Sequence, residues 1–505
     1  MNRPAADFEA GVDAVLDALT QRLTEAARII LGEERTAQVV AEGDPLAARL
    51  LPQLVETVRG TDDPSTRWLL LTAVRGRFPN GEEFMSFTRQ LDLIAAEVTE
   101  TELLRLAVLG GGRPDLPLRI VSDAPVVDVN FSARHDLHTG IHRVVRETVP
   151  RWDRAHDLVP VAWIDEGTAY RSLAPRELAR VLSFHEDVVI DLEEEAAYRP
   201  ELIVPWRTMI ILPDVPNAAS APALTALSRW SGSRVSLIGY DLIPITSADQ
   251  RPAPEATSAA NFLTAVKHAD RVAGISASAT TEFRGFAHSL TAQGLTPPEV
   301  RKVLLPEDAP PSPNEAPRPA PTRPVILLTG TREPHKNHRA VLHAAERLWN
   351  EGLDFEIRMV GGKGWSDAVL RPALERLHTD GRPVVELGRV SEESLWSELR
   401  AADAVVFISL HEGFGLPVAE ALSVGTPVIT SNFGSQAEIA ENGGCLIVDP
   451  RDDDDIARAM RSFLTDPDLR ARLAAEALVR PQRTWNDYAA ELWEFFMAEP
   501  TEGRQ

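Results

Sequence analysis

Two glutamates stand eight positions apart in residues 409–427, SLHEGFGLPVAEALSVGTP. Glu412 lies in a glycine-containing loop after an apolar, strand-like run, and Glu420 lies in the following helix, which has Pro417 near its first position. Because a helix rises about 1.5 Å per residue, Glu420 lies within roughly one turn of the helix start, and both carboxylates reach one cleft mouth. Carboxylates accept hydrogen bonds from vicinal sugar hydroxyls. An acid near a helix N-terminus also stabilises the helix dipole, so this pair alone leaves both interpretations open.

A second strand, loop and helix junction spans residues 327–338, LLTGTREPHKNH. Lys336 and Arg332 are expected to project from this loop toward the same cleft edge, where cations neutralise a diphosphate leaving group. Asn337 is predicted to cap the helix that follows. A solvated loop lysine is the alternative, although the chain has only four lysines among its 52 Lys and Arg residues.

Two more loops follow predicted strands, at residues 360–367 (VGGKGWSD) and 387–395 (LGRVSEESL). Exposed backbone in these loops can recognise a nucleobase edge. A plain connection between strand and helix explains them almost equally well.

The spacing of apolar and β-branched residues predicts an α/β protein with an additional helical domain at its N-terminus. Apolar residues recur at helical spacing through residues 1–116, which predicts an all-helical N-terminal domain. Short β-branched runs then alternate with helical stretches over residues 117–305 and again over 325–480, which predicts two doubly wound, Rossmann-like domains that face a cleft. Residues 306–324 hold eight prolines and are predicted to form an extended linker. Residues 481–505 are predicted to form a C-terminal helix, the candidate segment for crossing back to the first Rossmann-like domain.

Charge and composition narrow the classes of partner. A formal net charge of -23 argues against general affinity for nucleic acid or anionic lipid. The N-terminus lacks the pattern of a secretory signal and no apolar run is long enough to span a membrane, so we expect a cytoplasmic protein. The single cysteine, Cys445, excludes an internal disulfide and a multi-cysteine metal site. The acidic run at residues 452–455 is expected to cap a helix.

Three of these segments, GTREPHKN, VGGKGW and EGFGLPVAE, occur in the order seen in glycosyltransferase family 4, the retaining GT-B enzymes, and the chain resembles that family. The resemblance covers roughly residues 120–497 and is strongest at 325–450. It leans toward the mannosyltransferases of capsule and O-antigen synthesis, and therefore toward GDP-mannose as donor.

The resemblance implies that Lys336 contacts the donor diphosphate, that Glu412 contacts the sugar hydroxyls and that Glu420 contacts the ribose. The candidate catalytic residues are Lys336, Glu412 and Asp241. The full candidate donor-binding set is Gly330, Thr331, Arg332, Lys336, Gly361, Lys363, Arg389, Val390, Glu412, Gly413, Phe414, Gly415, Leu416 and Glu420. In the first Rossmann-like domain, residues 139–146 (TGIHRVVR) resemble the family's first glycine loop and helix, which makes Thr139, Gly140 and Arg143 the candidate acceptor-side residues.

The chain departs from the family pattern at two positions. Tyr240 stands before Asp241-Leu242-Ile243-Pro244, where many members have a histidine, and Thr331 stands where many have an arginine on the phosphates.

The resemblance implies no metal and no cofactor beyond the nucleotide-sugar co-substrate, and leaves a saccharide, lipid-linked or peptide acceptor open. The N-terminal helices are the candidate for recognising an acceptor or partner, or for self-association. The arginines at 143, 146, 151 and 154 give one helix a basic side, either for a phosphorylated lipid acceptor at a membrane surface or as an ordinary solvated face.

Three other classes of protein compete with a transferase. A glycoside hydrolase also needs two carboxylates, but has no use for a cationic diphosphate site. A nicotinamide-dependent oxidoreductase is disfavoured because no G-x-G-x-x-G follows a predicted strand. A non-catalytic nucleotide-sugar-binding or scaffold protein, which works through its N-terminal helices, stays open.

Overall fold

The structure is a computed structural model that describes residues 5–43, 45–109, 111–136, 139–164, 167–184, 189–307, 323–481 and 483–499. Most of the predicted proline-rich linker lies outside these residues, so its extended conformation stays a prediction. Within the described ranges, no helix is both long and apolar enough to cross a membrane.

The N-terminal region is helical. Asp63 and Asn80 cap two of its helices with their side chains, as their residue types favour. Its buried Trp68 and Phe78 pack with Trp163 and Tyr170 of the sheet that follows, so the helices share a core with that sheet. The described residues of this region form the helices α1 (Ala5–Ile30), α2 (Glu33–Ala41), α3 (Leu46–Arg59), α4 (Pro64–Arg75), α5 (Gly81–Leu93) and α6 (Ala96–Leu109).

In the part of the chain that the structure describes, the first sheet has nine strands in the order β1-β5-β4-β3-β2-β6-β7-β8-β9. The strands are β1 (Leu118–Val121), β2 (Val126–Asp128), β3 (Val159–Trp163), β4 (Tyr170–Arg171), β5 (Leu202–Pro205), β6 (Met209–Leu212), β7 (Arg234–Gly239), β8 (Arg271–Gly274) and β9 (Glu299–Lys302).

The helices that connect these strands are α7 (Asn130–Arg134), α8 (Gly140–Ala155), α9 (Pro175–Leu182), α10 (Leu192–Ala197), α11 (Ala221–Trp230), α12 (Ile243–Thr246), α13 (Ala253–Val266) and α14 (Ala277–Leu290). The sheet differs from the predicted parallel one at β4, which pairs antiparallel with both β3 and β5. Residues 234–245 (RVSLIGYDLIPI), which the pattern predicts as one strand, form two elements, because the strand ends at Gly239 and Ile243 already begins α12.

The second sheet is parallel, with the order β12-β11-β10-β13-β14-β15. The chain leaves β10, builds outward in one direction, and returns to place β13 on the other side of β10, so the topological switch point lies between these two strands. The strands are β10 (Val325–Thr329), β11 (Glu356–Val360), β12 (Val384–Gly388), β13 (Ala404–Phe407), β14 (Val428–Ser431) and β15 (Cys445–Val448).

Helices cover the second sheet and end the chain. Asp452 caps one of them, with Oδ1 accepting from the amides of Asp454 and Asp455 at 2.9 and 3.1 Å, which confirms the interpretation of the acidic run. The helices are α15 (His338–Asn350), α16 (Asp367–Thr379), α17 (Glu392–Ala401), α18 (Leu416–Ser423), α19 (Gly434–Ala440), α20 (Asp453–Thr465), α21 (Pro467–Leu478) and α22 (Trp485–Met497).

The last helix, α22, packs on α8 of the first sheet's half of the molecule. Trp152 donates its indole N–H to the carbonyl of Ala489 at 2.8 Å, and Arg271 donates to the carbonyl of Phe496 at 3.1 Å. The buried aromatic rings of α22, including Tyr488 and Phe496, join one core with residues of both sheets. Helix α22 therefore ties the two halves together.

Candidate active site

A buried ion pair lies at the switch point of the second sheet. Lys336 follows β10 in a short helical turn, Glu412 follows β13, and Nζ of Lys336 donates to Oε1 of Glu412 at 2.6 Å. The two side chains are 18% and 11% exposed, so the pair is largely removed from solvent. The lysine ammonium also lies over the ring of Phe407, 5.1 Å from its centroid. The structure thus joins two side chains that are 76 residues apart in the sequence.

The charge of this pair is maintained by its geometry. Burial on its own would raise the pKa of Glu412, but the charge and hydrogen bond of Lys336 outweigh it and hold that pKa below its usual value. The carboxylate is therefore ionised at neutral pH. A ligand that binds here replaces the contact between Lys336 and Glu412 with several contacts of its own. An anionic group of the ligand binds the lysine, and its hydroxyl groups donate hydrogen bonds to the glutamate.

The loop beneath Lys336 depends on two glycines that pack backbone against backbone. Gly361, with φ of 147°, lies so close to β10 that an added Cβ would be 1.9 Å from the carbonyl oxygen of Gly330. Gly330 in turn donates its amide to Val360 at 2.9 Å, and Gly361 donates to Gly388 at 2.8 Å. These contacts bring the carboxyl ends of β10, β11 and β12 together.

Arg332 differs from its predicted position. Its guanidinium is 5% exposed and pairs with Asp367 at 2.9 Å and Glu386 at 2.5 Å, carboxylates of α16 and β12. The expectation that Arg332 projects beside Lys336 toward the cleft edge is wrong, because two half-buried acids on neighbouring elements hold its buried side chain. Arg332 here stabilises the packing of α16 on the sheet.

The remaining residues of the candidate donor set lie along the same sheet edge. Thr331 is half-buried next to Gly330, Lys363 is exposed after β11, and Arg389 is exposed and lies against Gly362. Val390 is half-buried before α17. Asn337 occupies the start of α15 but its side chain does not cap the helix; it donates to the carbonyl of Pro450 at 2.7 Å instead.

The loop at Gly413, Phe414, Gly415 and Leu416 leads into α18 and faces the first sheet directly. An added Cβ at Gly413 would lie 2.5 Å from the carbonyl oxygen of Tyr240. Ser276 at the start of α14 donates its hydroxyl to the carbonyl of Gly413 at 2.6 Å. At the other end of the loop, an added Cβ at Gly140 of α8 would lie 2.9 Å from Cδ1 of Leu416. Glycines on both sides therefore permit the close approach of the two halves.

We expect Gly413→Ala to lower kcat/KM about tenfold, which corresponds to roughly 1.4 kcal/mol. The new methyl group meets a backbone oxygen that cannot rotate away, so the loop has to retreat from Tyr240 and the contact with Ser276 lengthens. Steady-state kinetics check the result. Gly285→Ala is the matched control, because nothing lies within 4 Å of its added Cβ and its φ is ordinary. Unchanged activity of Gly413→Ala would show that this close approach is dispensable.

Asp241, the third candidate catalytic residue, lies on the first-sheet wall of the same cleft. Its Oδ1 accepts the amide of Ile243 at 3.1 Å, and its Oδ2 would lie 3.1 Å from an added Cβ at Gly413. Burial raises the pKa of Asp241 to about 6; the hydrogen bond from the amide of Ile243 opposes this rise, and the negative charges of Glu282 and Glu412 add to it. Tyr240, which stands where many relatives have a histidine, is buried and donates its hydroxyl to the carbonyl of Pro213 at 2.7 Å.

Arg143 and Glu420 form an ion pair across the cleft, at 2.5 Å. Arg143 belongs to α8 of the first half, and its guanidinium also lies 5.1 Å from the ring centroid of Trp396. Burial raises the pKa of Glu420, against the opposing effect of Arg143. Thr139 caps α8, with Oγ1 accepting from the amide of His142 at 3.5 Å. The candidate acceptor-side residues therefore lie opposite the candidate ribose-binding carboxylate.

The basic side predicted for α8 is not present as a single face. Arg143 pairs across the cleft, Arg146 is buried over the ring of Phe184, Arg151 bonds to Glu147 and Asn486, and Arg154 is exposed. Partners on three different elements separate these side chains. The prediction that these four arginines form one basic side of α8, which could bind a phosphorylated lipid, is therefore wrong.

Two further cleft residues, His411 and Glu438, lie in or beside the sequence motifs but were given no role by the sequence analysis. His411, next to Glu412, bonds across the cleft to Ser247 at 2.8 Å and pairs with Glu282 at 3.1 Å, and that pairing raises its pKa. Glu438 accepts the amides of Ala277 and Ser278, both at 2.7 Å, at the N-terminus of α14. Neither role has a local signal in the sequence, because each partner comes from the other half.

No group of three or more His, Cys, Asp and Glu side chains in the described ranges is placed to hold a metal ion. Cys445 is half-buried in β15, and burial raises the pKa of its thiol to about 12.

Two facing α/β sheets, with charged side chains at the carboxyl ends of their strands and a returning C-terminal helix, define the GT-B glycosyltransferase fold. Residues 314–479 match the family model described as glycosyl transferases group 1.

Among curated relatives, the chain is 36% identical over 163 residues to the O-antigen chain mannosyltransferase B of Escherichia coli, a match that covers 32% of this chain and 42% of that protein. It is 26% identical over 375 residues to the serotype-specific mannosyltransferase WbdA of Escherichia coli, covering 67% of this chain and 41% of that protein. The chain thus spans about two fifths of the length of these relatives.

Among solved structures, sucrose-phosphate synthase from Thermosynechococcus elongatus superposes with a TM-score of 0.53 at 17% identity, covering 74% of this chain and 98% of that one. A structure from Escherichia coli, described as trehalose-6-phosphate bound with UDP-2-fluoro glucose, gives a TM-score of 0.50 at 14% identity, covering 75% and 100%. At these identities the likeness concerns the fold alone.

Proposed function

We propose that this protein is a retaining glycosyltransferase of family 4 that moves a hexose from a nucleoside-diphosphate sugar to a hydroxyl acceptor, without a metal ion. The observation that carries the proposal is the buried Lys336–Glu412 pair at the switch point of the second sheet, where ligands of such sheets bind. A cation suits the diphosphate and the adjacent carboxylate suits the sugar hydroxyls. Mannose from GDP-mannose is the favoured donor group, since two relatives are named mannosyltransferases.

In this mechanism the chain contributes position and charge. Lys336 holds the diphosphate and stabilises the charge that develops on it as the bond to the sugar breaks. Glu412 orients the sugar through its hydroxyls, and Glu420 holds the ribose after exchanging its contact with Arg143. Backbone amides of Phe414, Gly415 and Leu416 at the start of α18 add donors toward the phosphate or sugar.

The transfer itself needs no protein nucleophile. The bond between the anomeric carbon and the diphosphate oxygen breaks, the acceptor oxygen bonds to the same face of the sugar, and the acceptor proton moves to the departing diphosphate oxygen. The close contacts between the Gly413 loop and the first half keep water from the activated sugar.

Asp241 is expected to give the pH–rate profile an acidic limb. With a pKa of about 6, its carboxylate is protonated below that pH and ionised above it, so a role as hydrogen-bond acceptor for a substrate hydroxyl gains strength as pH rises. We expect kcat/KM of the wild type to increase between about pH 5 and pH 7, and this increase to be missing in Asp241→Asn, whose activity at neutral pH falls about tenfold. Asp249→Asn, an exposed aspartate of the same half, is the control. If kcat/KM of Asp241→Asn still increases between about pH 5 and pH 7, the increase is caused by the ionisation of another group.

The donor is tested by thermal shift with UDP-, GDP-, dTDP- and ADP-sugars. A ligand at 100 times its dissociation constant stabilises the folded state by about 2.7 kcal/mol. GDP-mannose is expected to give the largest increase in melting temperature, and Lys336→Ala is expected to remove it. If another nucleotide sugar gives the largest stabilisation, only the assignment of GDP-mannose as donor changes. If no nucleotide sugar stabilises the protein, or if only a nicotinamide dinucleotide does, the proposed function is contradicted.

Product analysis separates the transferase from its competitors. We expect transfer to a hydroxyl acceptor with retained anomeric configuration and little free sugar, measured by NMR. Release of free sugar independent of an acceptor indicates a hydrolase. Binding of the nucleotide sugar without turnover, across lipid-linked, saccharide and peptide acceptors, indicates a binding or scaffold protein that uses its N-terminal helices.

A further inference from the structure

A short segment of the first half contacts both loops that carry the Lys336–Glu412 pair. The segment, which we call the brace, is residues 247–251 between α12 and α13. The Lys336 loop, residues 330–337, follows β10, and the Glu412 loop, residues 408–415, follows β13. Each end of the brace bonds to a different one of these loops, so one piece of chain from the first half reaches both.

Arg251, at one end of the brace, pairs with the Lys336 loop. Its guanidinium pairs with the carboxylate of Glu333, and Nη1 lies 3.5 Å from Nδ1 of His335, the residue before Lys336. Glu255, on α13 of the first half, holds the same guanidinium at 2.7 Å. The side chains of Arg251 and Glu333 are each 19% exposed, so solvent screens their attraction only in part.

Ser247, at the other end of the brace, bonds to the Glu412 loop. Its hydroxyl lies 2.8 Å from Nδ1 of His411, and Nε2 of the same imidazole lies 3.1 Å from Oε1 of Glu282 on α14. Glu282 in turn accepts the amide of Leu242 at 2.8 Å and the hydroxyl of Thr246 at 3.0 Å, which fastens α12 to α14. The imidazole of the Glu412 loop is therefore held by a network anchored in the first half.

The two loops are also joined to each other within the second half. The amide of Leu410 donates to the carbonyl of His335 at 2.7 Å, and Lys336 meets Glu412 directly at 2.6 Å. The brace contacts each loop within three positions of that pair. Because Asp241 directly precedes α12, the same stretch of chain connects the candidate catalytic residue of the first half to the pair in the second.

From these contacts we infer that Arg251 and Ser247 are positioning residues, which hold the Lys336 loop and the Glu412 loop in place opposite Asp241. The inference rests on the proposed function and adds to it two residues of the first half that act through the second. Transfer requires the donor sugar, the diphosphate and the acceptor in one geometry, and a displacement of about 1 Å can lower a rate about 100-fold. Free nucleoside diphosphate needs only the second half, so the brace is expected to act on kcat.

Direct binding of the diphosphate by Arg251 is the poorer assignment. Two carboxylates, those of Glu333 and Glu255, already pair with its guanidinium, so a phosphate that approached it would meet two negative charges. The two assignments differ in one measurable quantity, which is the affinity for nucleoside diphosphate. A phosphate-binding arginine raises that dissociation constant when it is removed, whereas a positioning arginine leaves it nearly unchanged.

Arg251→Ala is expected to lower kcat about tenfold and to leave the dissociation constant of the nucleoside diphosphate within about twofold of the wild type. Arg251→Lys keeps the charge and is expected to recover part of kcat. Arg284→Ala is the matched control, because this exposed arginine bonds to the carbonyl of Val300 within the first half. Wild-type kcat in Arg251→Ala, or a tenfold weaker nucleoside diphosphate, would overturn the inference.

A double variant tests whether Arg251 acts through the Lys336 loop. If it does, Arg251→Ala combined with Glu333→Gln loses no more kcat than Arg251→Ala alone, because both changes remove the same contact. Fully additive losses would contradict the inference. Ser247→Ala removes a single hydroxyl and covers the case in which Arg251→Ala fails to fold. It is expected to lower kcat several-fold with the same nucleoside diphosphate affinity, and a wild-type kcat there contradicts the role of Ser247.

Amide hydrogen exchange tests the brace on the full chain without the reaction. We expect Arg251→Ala to exchange at least about fivefold faster than the wild type in peptides from both loops, measured by mass spectrometry, and Arg284→Ala to exchange like the wild type. Wild-type exchange in both loops of Arg251→Ala overturns the brace, whether or not the protein transfers a sugar. If the wild type transfers no sugar but exchange accelerates as expected, the proposed function fails and the brace stands.

Discussion

Lys336→Ala is expected to lower kcat/KM at least ~30-fold, a loss of about 2 kcal/mol of transition-state stabilisation. The lysine is the cation that lies at the end of β10, bonded to Glu412 at 2.6 Å and covered by Phe407. Without it the developing diphosphate charge loses its closest counter-charge, and Glu412 is left buried with no partner of opposite sign at its Oε1. The second effect raises the pKa of Glu412, because burial is then no longer opposed by the ammonium.

Binding of the free nucleoside diphosphate shows whether Lys336 acts on the phosphates. Isothermal titration calorimetry is expected to give a dissociation constant for the nucleoside diphosphate that is at least about tenfold higher in Lys336→Ala. Lys267→Ala is the matched control, since Lys267 is half-buried in the other half of the molecule and bonds to Gln293. Normal turnover in a folded Lys336→Ala variant would mean that the diphosphate binds elsewhere.

Glu412→Gln is expected to lower kcat/KM by a similar factor, at least ~30-fold, but by a different route. The amide keeps the size of the side chain and removes the charge that Lys336 now pairs with. The expected loss lies in kcat, because the carboxylate orients the sugar and its hydrogen bonds to the hydroxyls strengthen in the transition state. Kinetics with the donor at saturation measure this effect.

The two variants differ in their affinity for nucleoside diphosphate. Glu412→Gln is expected to bind it as tightly as the wild type or more tightly, because a negative charge beside the phosphates has been removed, whereas Lys336→Ala binds it more weakly. Glu351→Gln is the control, because its pair with Arg461 is exposed on the same half. If Glu412→Gln weakened the nucleoside diphosphate and left kcat unchanged, its role would be at the phosphates and not at the sugar.

The periodicity of the sequence was sufficient for the architecture. Helical spacing predicted the N-terminal helices, and β-branched runs predicted most strands, because burial of apolar side chains dominates both patterns. The periodicity did not predict the short strand Tyr170–Arg171, which pairs antiparallel with the strands on both sides, because two residues are too few to show an alternation of apolar and polar side chains. Asp452 capped its helix as expected, since that hydrogen bond is local and depends only on residues two and three positions away.

The sequence predicted the residues of the candidate site, but not the contacts between them. Lys336 and Glu412 were proposed from residue type and from their places after strands, which is information that the sequence alone contains. Their direct contact, the diversion of Arg332 to Asp367 and Glu386, and the pairing of Arg143 with Glu420 depend on which elements become neighbours. A buried charge pairs with whichever opposite charge the folded chain brings within reach, and partners that come from distant segments leave no trace in local spacing. Residue type and periodicity therefore determined the elements and the chemistry available at their ends, while tertiary packing decided which of those charges meet.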